Sequence, residues 1–276
     1  MNTNRLPSTL ALLARQTVYD HRIFWRSVGP AFFVLVFPLI MLVVFTAIFG
    51  NELIPALGVT TAQFYAPSLA VYGAVNAAYV NLSASTVVRR EQGILKRMRG
   101  TPMPPAVYIA GRLLFTASIA FMATAVMVSI GVAVYGVRLF WHTLPAAVLV
   151  LLVGVCCFAA LGLLLATVLR DGAGAPAVAS ATLLPLAFIS DVFIPPSVPL
   201  PRWAELVGDA FPLRHFTHAF GDAFNPALHG TGFAWTAGPG KYAMLDHLAV
   251  MALWGAVAAL LAVRRFRWEP RPEGIS

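Results

Sequence analysis

Charge is what this chain has least of. Of 276 residues only 11% are Asp, Glu, Lys or Arg, against 59% that are apolar, and the mean hydropathy is +0.78. A soluble domain carries roughly a quarter charged residues. With so few, too little polar surface remains to face water, so lipid must be the solvent for much of the chain. Cysteine is equally scarce: Cys156 and Cys157 are neighbours in an apolar run, which leaves no disulfide framework and reads as packing. No G-x-x-x-x-G-K-[ST] occurs, since the only Gly-Lys pair, Gly240–Lys241, is followed by Tyr. No G-x-S-x-G occurs either, which excludes the usual serine nucleophile elbow. Also missing is a short apolar core with a small-residue cleavage site. The first long apolar run starts near Val28, so no cleaved signal peptide is expected.

What the chain has instead is long apolar runs. A helix needs roughly 20 apolar residues to cross the hydrocarbon, where every backbone polar group must be bonded internally. Six stretches are read as spans: Val28–Phe49, Ala62–Val88, Leu113–Val137, Leu144–Leu169, Ala173–Ser190 and Ala243–Val263. Pro38, Pro67 and Pro185 fall inside spans and are expected to bend them. The expected fold is an all-α integral membrane protein forming a single domain over 1–276.

The formal charge of +8 would suit nucleic acid, but the basic residues cluster at the ends of apolar runs, as in membrane proteins. With the N-terminus in the cytoplasm, only Arg138, Arg202, Arg214 and Lys241 of the 19 basic residues fall outside. That asymmetry puts both termini in the cytoplasm. Every Asp, Glu, Lys and Arg lies at a span end or in a connector, with Arg112 and Asp191 closest to entering. An ion-coupled carrier usually holds ionisable groups mid-span, so their absence argues against one.

Segment 8–27 forms an expected interfacial helix, with Ser8 as cap and Arg15, Arg22 and Arg26 opposite Leu13 and Phe24. In the outer region, 191–242, two short amphipathic helices are expected at the interface. One carries Trp203, Leu206, Val207, Ala210 and Phe211 on one face. The other carries Leu213, Phe216, Phe220, Ala223 and Phe224 against Arg214, His215, His218 and Asp222. Pro201 suits a first helical position, Pro212 suits a stop, and HGTGFAWTAGPG reads as an exposed loop. His215, His218 and Asp222 could share a face and bind a metal. A bare H-x-x-H lacks a third firm ligand, so interfacial polarity is the preferred reading and no metal is assigned.

The second span carries Tyr65, Ser68, Tyr72, Asn76, Tyr79 and Ser83 at steps of three and four, which keeps all six on one face. Polar groups facing lipid would be unsatisfied, so this face points at protein or at a passage. Two readings stay open. One is hydrogen bonding between helices; the other is a substrate path at a dimer interface involving Tyr65, Tyr72, Asn76 and Tyr79. In the fifth span Ala173, Ala177 and Ala181 recur at four-residue steps and read as close packing.

The inner connector 89–105, RREQGILKRMRGTPMPP, holds five of the 19 basic residues and one acid, Glu91. Ile94, Leu95 and Met98 form an apolar patch on a short helix, with Gly100 and Pro102 as a stop. The positive-inside rule explains the basic residues; Glu91, the patch and the stop suggest a docking surface for a cytosolic partner.

The stretch RREQGILKRMRGTPMPPAVYIAGRL resembles the cytoplasmic loop of type-2 ATP-binding-cassette (ABC-2) exporter permeases, the family of daunorubicin-resistance-type drug exporters and of polysaccharide and lipid exporters. The matched positions are Arg90, Glu91, Gly93, Leu95, Lys96, Arg97, Thr101 and Pro102. The likeness extends to FPLIMLVVFTAIFG, GLLLATVLRDGAGAPAVASATLLPLAFIS and IPPSVPLPRWAELVGDAFPL. Asp191, where relatives often have Gly, and the long Gly-rich outer loop depart from it. The resemblance implies a multi-pass permease of the cell membrane, working as a pair with a second copy or close homologue and two cytosolic ATPase subunits. ATP and Mg would be bound by the ATPases and no cofactor by this chain, which would not itself be an enzyme. The coupling residues implied are Arg90, Glu91, Gly93, Leu95, Lys96, Arg97 and Met98, and the implied cargo is a hydrophobic or amphipathic drug-like compound or lipid. A polysaccharide or glycolipid exporter is the alternative.

Overall fold

Ser8 opens the first helix as expected: its hydroxyl accepts from the Ala11 amide at 3.3 Å, starting α1 (Thr9–Arg26). The computed structural model describes residues 8–100, 104–225 and 243–265. Extended backbone at Ser27 ends α1, and the first apolar run follows as α2 (Val28–Ala31), a π-helical segment Phe32–Val36 and α3 (Phe37–Phe49). Proline has no N–H to donate, so the wound-out segment directly before Pro38 has an identifiable cause. A hairpin of β1 (Leu53–Ile54) and β2 (Val59–Thr60), antiparallel with Leu53 opposite Thr60, turns the chain into α4.

α4 (Thr61–Val75), a second π-helical segment Asn76–Asn81 and α5 (Leu82–Glu91) form one helical run through the centre of the molecule. Every residue from 61 to 78 is buried. Around this run stand α3, α7 (Pro105–Tyr135) and α8 (Leu144–Val168). The short α6 (Ile94–Arg99) follows α5 at what we term the loop end. Beyond α8 come α9 (Ala175–Ile189), α10 (Arg202–Ala210), α11 (Pro212–Phe224) and α12 (Met244–Arg265), with α12 packed along α8. Close approach of neighbours to the central run depends on glycine. A Cβ on Gly73 would lie 2.9 Å from the Val34 carbonyl, and one on Gly162 would lie 2.7 Å from that of Ala78.

Among the described residues, four helices are long and apolar enough to cross a membrane: Val28–Phe49, Ala106–Tyr135, Leu144–Val168 and Met244–Arg265. The other two expected spans differ for separate reasons. The central run is enclosed by protein, so it carries polar groups that a lipid-facing helix would not tolerate. α9 has 15 residues, about 22 Å of rise, against a hydrocarbon core of about 30 Å.

Two further expectations change. The second short helix was expected at an interface, but α11 is buried on nearly all sides against α8, α12 and α4. Its Phe216 ring lies over Gly154, where a Cβ would meet the ring at 2.5 Å. The polar face therefore meets other protein groups rather than water. Pro201 caps α10 rather than opening it, and Pro212 both ends α10 and starts α11. In contrast, α10 keeps its apolar face exposed: Trp203 is 66% and Leu206 61% accessible. The Gly-rich stretch 229–240, Thr101 and Pro102 lie outside the described residues.

Candidate functional site: the loop end and the central polar helix

Three consecutive residues at the end of α5 reach three different elements. Successive helical side chains point about 100° apart, so Arg89, Arg90 and Glu91 fan outward. Arg89 makes a buried ion pair with Asp20 of α1, and its guanidinium also reaches the Tyr108 hydroxyl at 3.4 Å. Asp20 is 1% exposed and receives a further hydrogen bond from Gln16 Nε2 at 2.9 Å. Arg112 of α7 stands 3.7 Å from the same carboxylate and donates to Ser85 Oγ at 2.7 Å and Thr86 Oγ1 at 3.1 Å. Two arginines and one aspartate thus bind α1, α5 and α7 together.

Arg90 turns towards α8. It donates to the carbonyls of Ala166 at 2.7 Å and Leu169 at 2.5 Å, which satisfies acceptors that every helix C-terminus leaves open. Glu91 turns towards the connector between α8 and α9, where its Oε1 accepts from the Gly172 amide at 2.8 Å. Asp171 beside it takes the amides of Ala173 and Gly174 at 3.0 and 2.8 Å, fixing the entry to α9.

Beyond Glu91 the chain reverses through Gly93, whose φ of +67° is the left-handed region that glycine occupies without penalty. α6 then presents Lys96 and Arg97 outward, with Glu91 and Gln92 exposed beside them. Its expected apolar patch is not open: Leu95 is wholly buried, and Ile94 and Met98 are half-buried. The exposed surface of α6 is therefore polar and cationic rather than apolar.

The central run also carries the polar line. The Tyr65 hydroxyl donates to the Phe193 carbonyl at 3.2 Å, and its ring lies 4.5 Å from Phe45. Tyr72 sits between the rings of Phe37 and Phe193, at 5.9 and 5.0 Å. Asn76 donates back to the Tyr72 carbonyl at 3.2 Å, at the first residue of the π-helical segment. Tyr79 pairs with Thr182 of α9 at 3.0 Å. Ser68 and Ser83 bond to carbonyls of their own helix. Tyr65, Tyr72 and Asn76 are buried within the single chain, and Tyr79 is half-buried. One helical run holds both this line and Arg89, Arg90 and Glu91.

At the opposite end, Asp191 adopts a φ of +58° and is 2% exposed. It accepts from Arg214 Nε at 2.9 Å and from His218 Nε2 at 2.7 Å. Burial alone would raise its pKa, but His218 and Arg214 outweigh burial and hold the carboxyl below its ordinary value. His215 turns away from His218: its Nδ1 faces His247 Nδ1 at 2.8 Å and its Nε2 faces the Asp209 carbonyl at 2.9 Å. Burial holds His215 below the usual histidine pKa. Gln63 joins this end from α4, exchanging two hydrogen bonds with the backbone of Arg138 at 2.7 and 3.1 Å.

The cluster that the sequence reading missed is Asp20 with Arg89 and Arg112. One signal was available: Asp20 is the only acidic residue before Glu52, and it shares a helical face with Gln16 and Phe24, both buried.

A family model described as ABC-2 type transporter matches residues 8–224, from the start of α1 to the end of α11. No curated protein matches the chain. A match over more than half of the chain, on a bundle with four membrane-length apolar helices, fixes the assignment. The chain is a membrane protein and belongs to the ABC-2 type transporter family.

Proposed function

We propose that this chain is the permease subunit of an ATP-driven exporter, energised by separate ATPase subunits that dock on the loop end. In this reading the bundle has six spans, counting the central run and α9, and the loop end faces the cytoplasm with both termini. Two permease chains, identical or closely related, work with two ATPases and move a hydrophobic or amphipathic drug-like molecule or lipid outward. The daunorubicin-resistance-type subtype rests on the loop resemblance. ATP and Mg belong to the ATPase, since the sequence holds no phosphate-binding loop.

The observation that carries the proposal is the fan at the end of α5. A push on α6 reaches α1 through Arg89, α8 through Arg90 and α9 through Glu91, while the exposed Lys96 and Arg97 meet an acidic groove on the ATPase. The central run connects that end rigidly to Tyr72, Asn76 and Tyr79, which would line the route once neighbouring helices part. Asn76→Ala would then lower transport more than it lowers ATPase docking.

The test is to purify the tagged chain from its own membranes and measure ATP hydrolysis and transport in vesicles. A co-purifying ATPase is expected. Glu91→Lys should abolish transport, because it reverses the charge beside Gly172, while leaving membrane insertion intact. Transport by the chain alone, or unchanged transport by Glu91→Lys, overturns the proposal.

A further inference from the structure

An apolar groove of about 650 Å³ opens between α7 and α12, with α8 as its floor. Along α12 it runs from Met251 to Val263, which at 1.5 Å per residue is about 18 Å. That length is about half of a hydrocarbon core roughly 30 Å thick, so the groove is one leaflet deep. A single hydrocarbon chain fits lengthwise in a slot of this length and volume. Small residues shape the groove: Gly255 brings α12 against α8, where a Cβ would stand 3.1 Å from Cys157 Cα, and Ala256 and Ala259 leave the space open.

The groove has a charged mouth at the loop end. Val263, its last lining residue on α12, is followed by Arg264 and Arg265, both exposed. Neither makes an ion pair among the described residues. Arginines at this depth attract anionic headgroups by about 1 kcal/mol each. From the apolar groove and its cationic rim together, we infer that it holds one acyl chain of an anionic phospholipid, drawn from the leaflet at the loop end, with the headgroup phosphate at Arg264 and Arg265. The lipid would wedge α7 apart from α12 and fill a void that the protein's own side chains leave.

The experiment is native mass spectrometry of the full-length purified chain, exchanged into detergent with phosphatidylglycerol or phosphatidylcholine. Wild type should retain one phosphatidylglycerol in preference to phosphatidylcholine. Ala259→Phe, which fills the groove, should abolish retention. Arg264→Gln with Arg265→Gln should lower the preference roughly tenfold or more, the scale of two arginines beside an anionic surface. Unchanged retention in Ala259→Phe overturns the inference, and so does equal retention of the two lipids by wild type. Conversion of a dimer to a monomer by Ala259→Phe, with lipid retention untouched, would show that a second copy occupies the groove and overturns it as well. Should Ala259→Phe not fold, a fluorophore on the exposed Cys156 in a Cys157→Ala background decides the matter. Phosphatidylglycerol brominated along its chains should quench it more than brominated phosphatidylcholine, and equal quenching sinks the inference.

Discussion

The two ends of the bundle use the same ingredients for opposite ends of the work. Each buries one aspartate against arginine: Asp20 with Arg89 and Arg112 at the loop end, Asp191 with Arg214 and His218 at the other. At the loop end the partners come from α1, α5 and α7, elements far apart in sequence, and the neighbouring residues reach on to α8 and α9. At the far end Asp191, Asp209, Arg214 and His218 lie within one short stretch of chain that closes on itself. A network that joins helices from distant parts of the chain transmits a displacement; one held within a single local stretch resists it. The lesson is that an ion pair's mechanical role follows from which elements it joins, not from its burial.

That contrast can be broken first at Asp20. Asp20→Ala leaves two buried arginines without their carboxylate and should cost about 3–5 kcal/mol, seen as a large fall in melting temperature in detergent. Asp20→Ala with Arg89→Met should recover much of it, which a lone aspartate acting only as a helix residue would not allow. At the far end, Asp191→Asn keeps a side chain that tolerates positive φ but loses the charge, and about 2 kcal/mol of stability should go with the charged hydrogen bonds. Transport per folded molecule should be nearly unchanged there, whereas loop-end variants should lose transport. Next comes Gly93→Ala. Nothing lies within 4 Å of the added Cβ, so only the left-handed backbone is penalised, by about 1–2 kcal/mol. That penalty falls on the turn into α6 and should weaken ATPase co-purification more than overall stability.

The smallest effect is on pH. His215 has its pKa lowered in the fold, so the unfolded chain binds the proton more readily. Stability from this group is complete above the ordinary value of 6.5 and declines as pH falls from there towards the lowered folded value. The melting temperature should therefore drop on acidification below 6.5, and His215→Gln should flatten that slope. A slope unchanged in His215→Gln would assign it to another group.

How much of this was legible follows the range of each interaction. Four of the apolar runs, the Ser8 cap and the amphipathic α10 are local patterns, and the structure has them where the sequence places them. The partner of Glu91 is an amide 81 residues further on, and no spacing rule points to Gly172. The burial of Leu95 and α11 likewise depends on what packs over them, so a face that reads as exposed from periodicity became interior. The groove beside α12 was invisible for another reason: it is made by what Gly255, Ala256 and Ala259 lack.

The π-helical turn at Asn76–Asn81 sets the angular phase between the two halves of the central run. Winding these six residues as regular α-helix, with none removed, would twist everything below them by about 100°, the step between neighbouring side chains. Arg89 would then swing off Asp20, Arg90 off the end of α8 and Glu91 off Gly172, with none of those residues altered. The wide turn works as the key that keeps a shaft and its crank aligned.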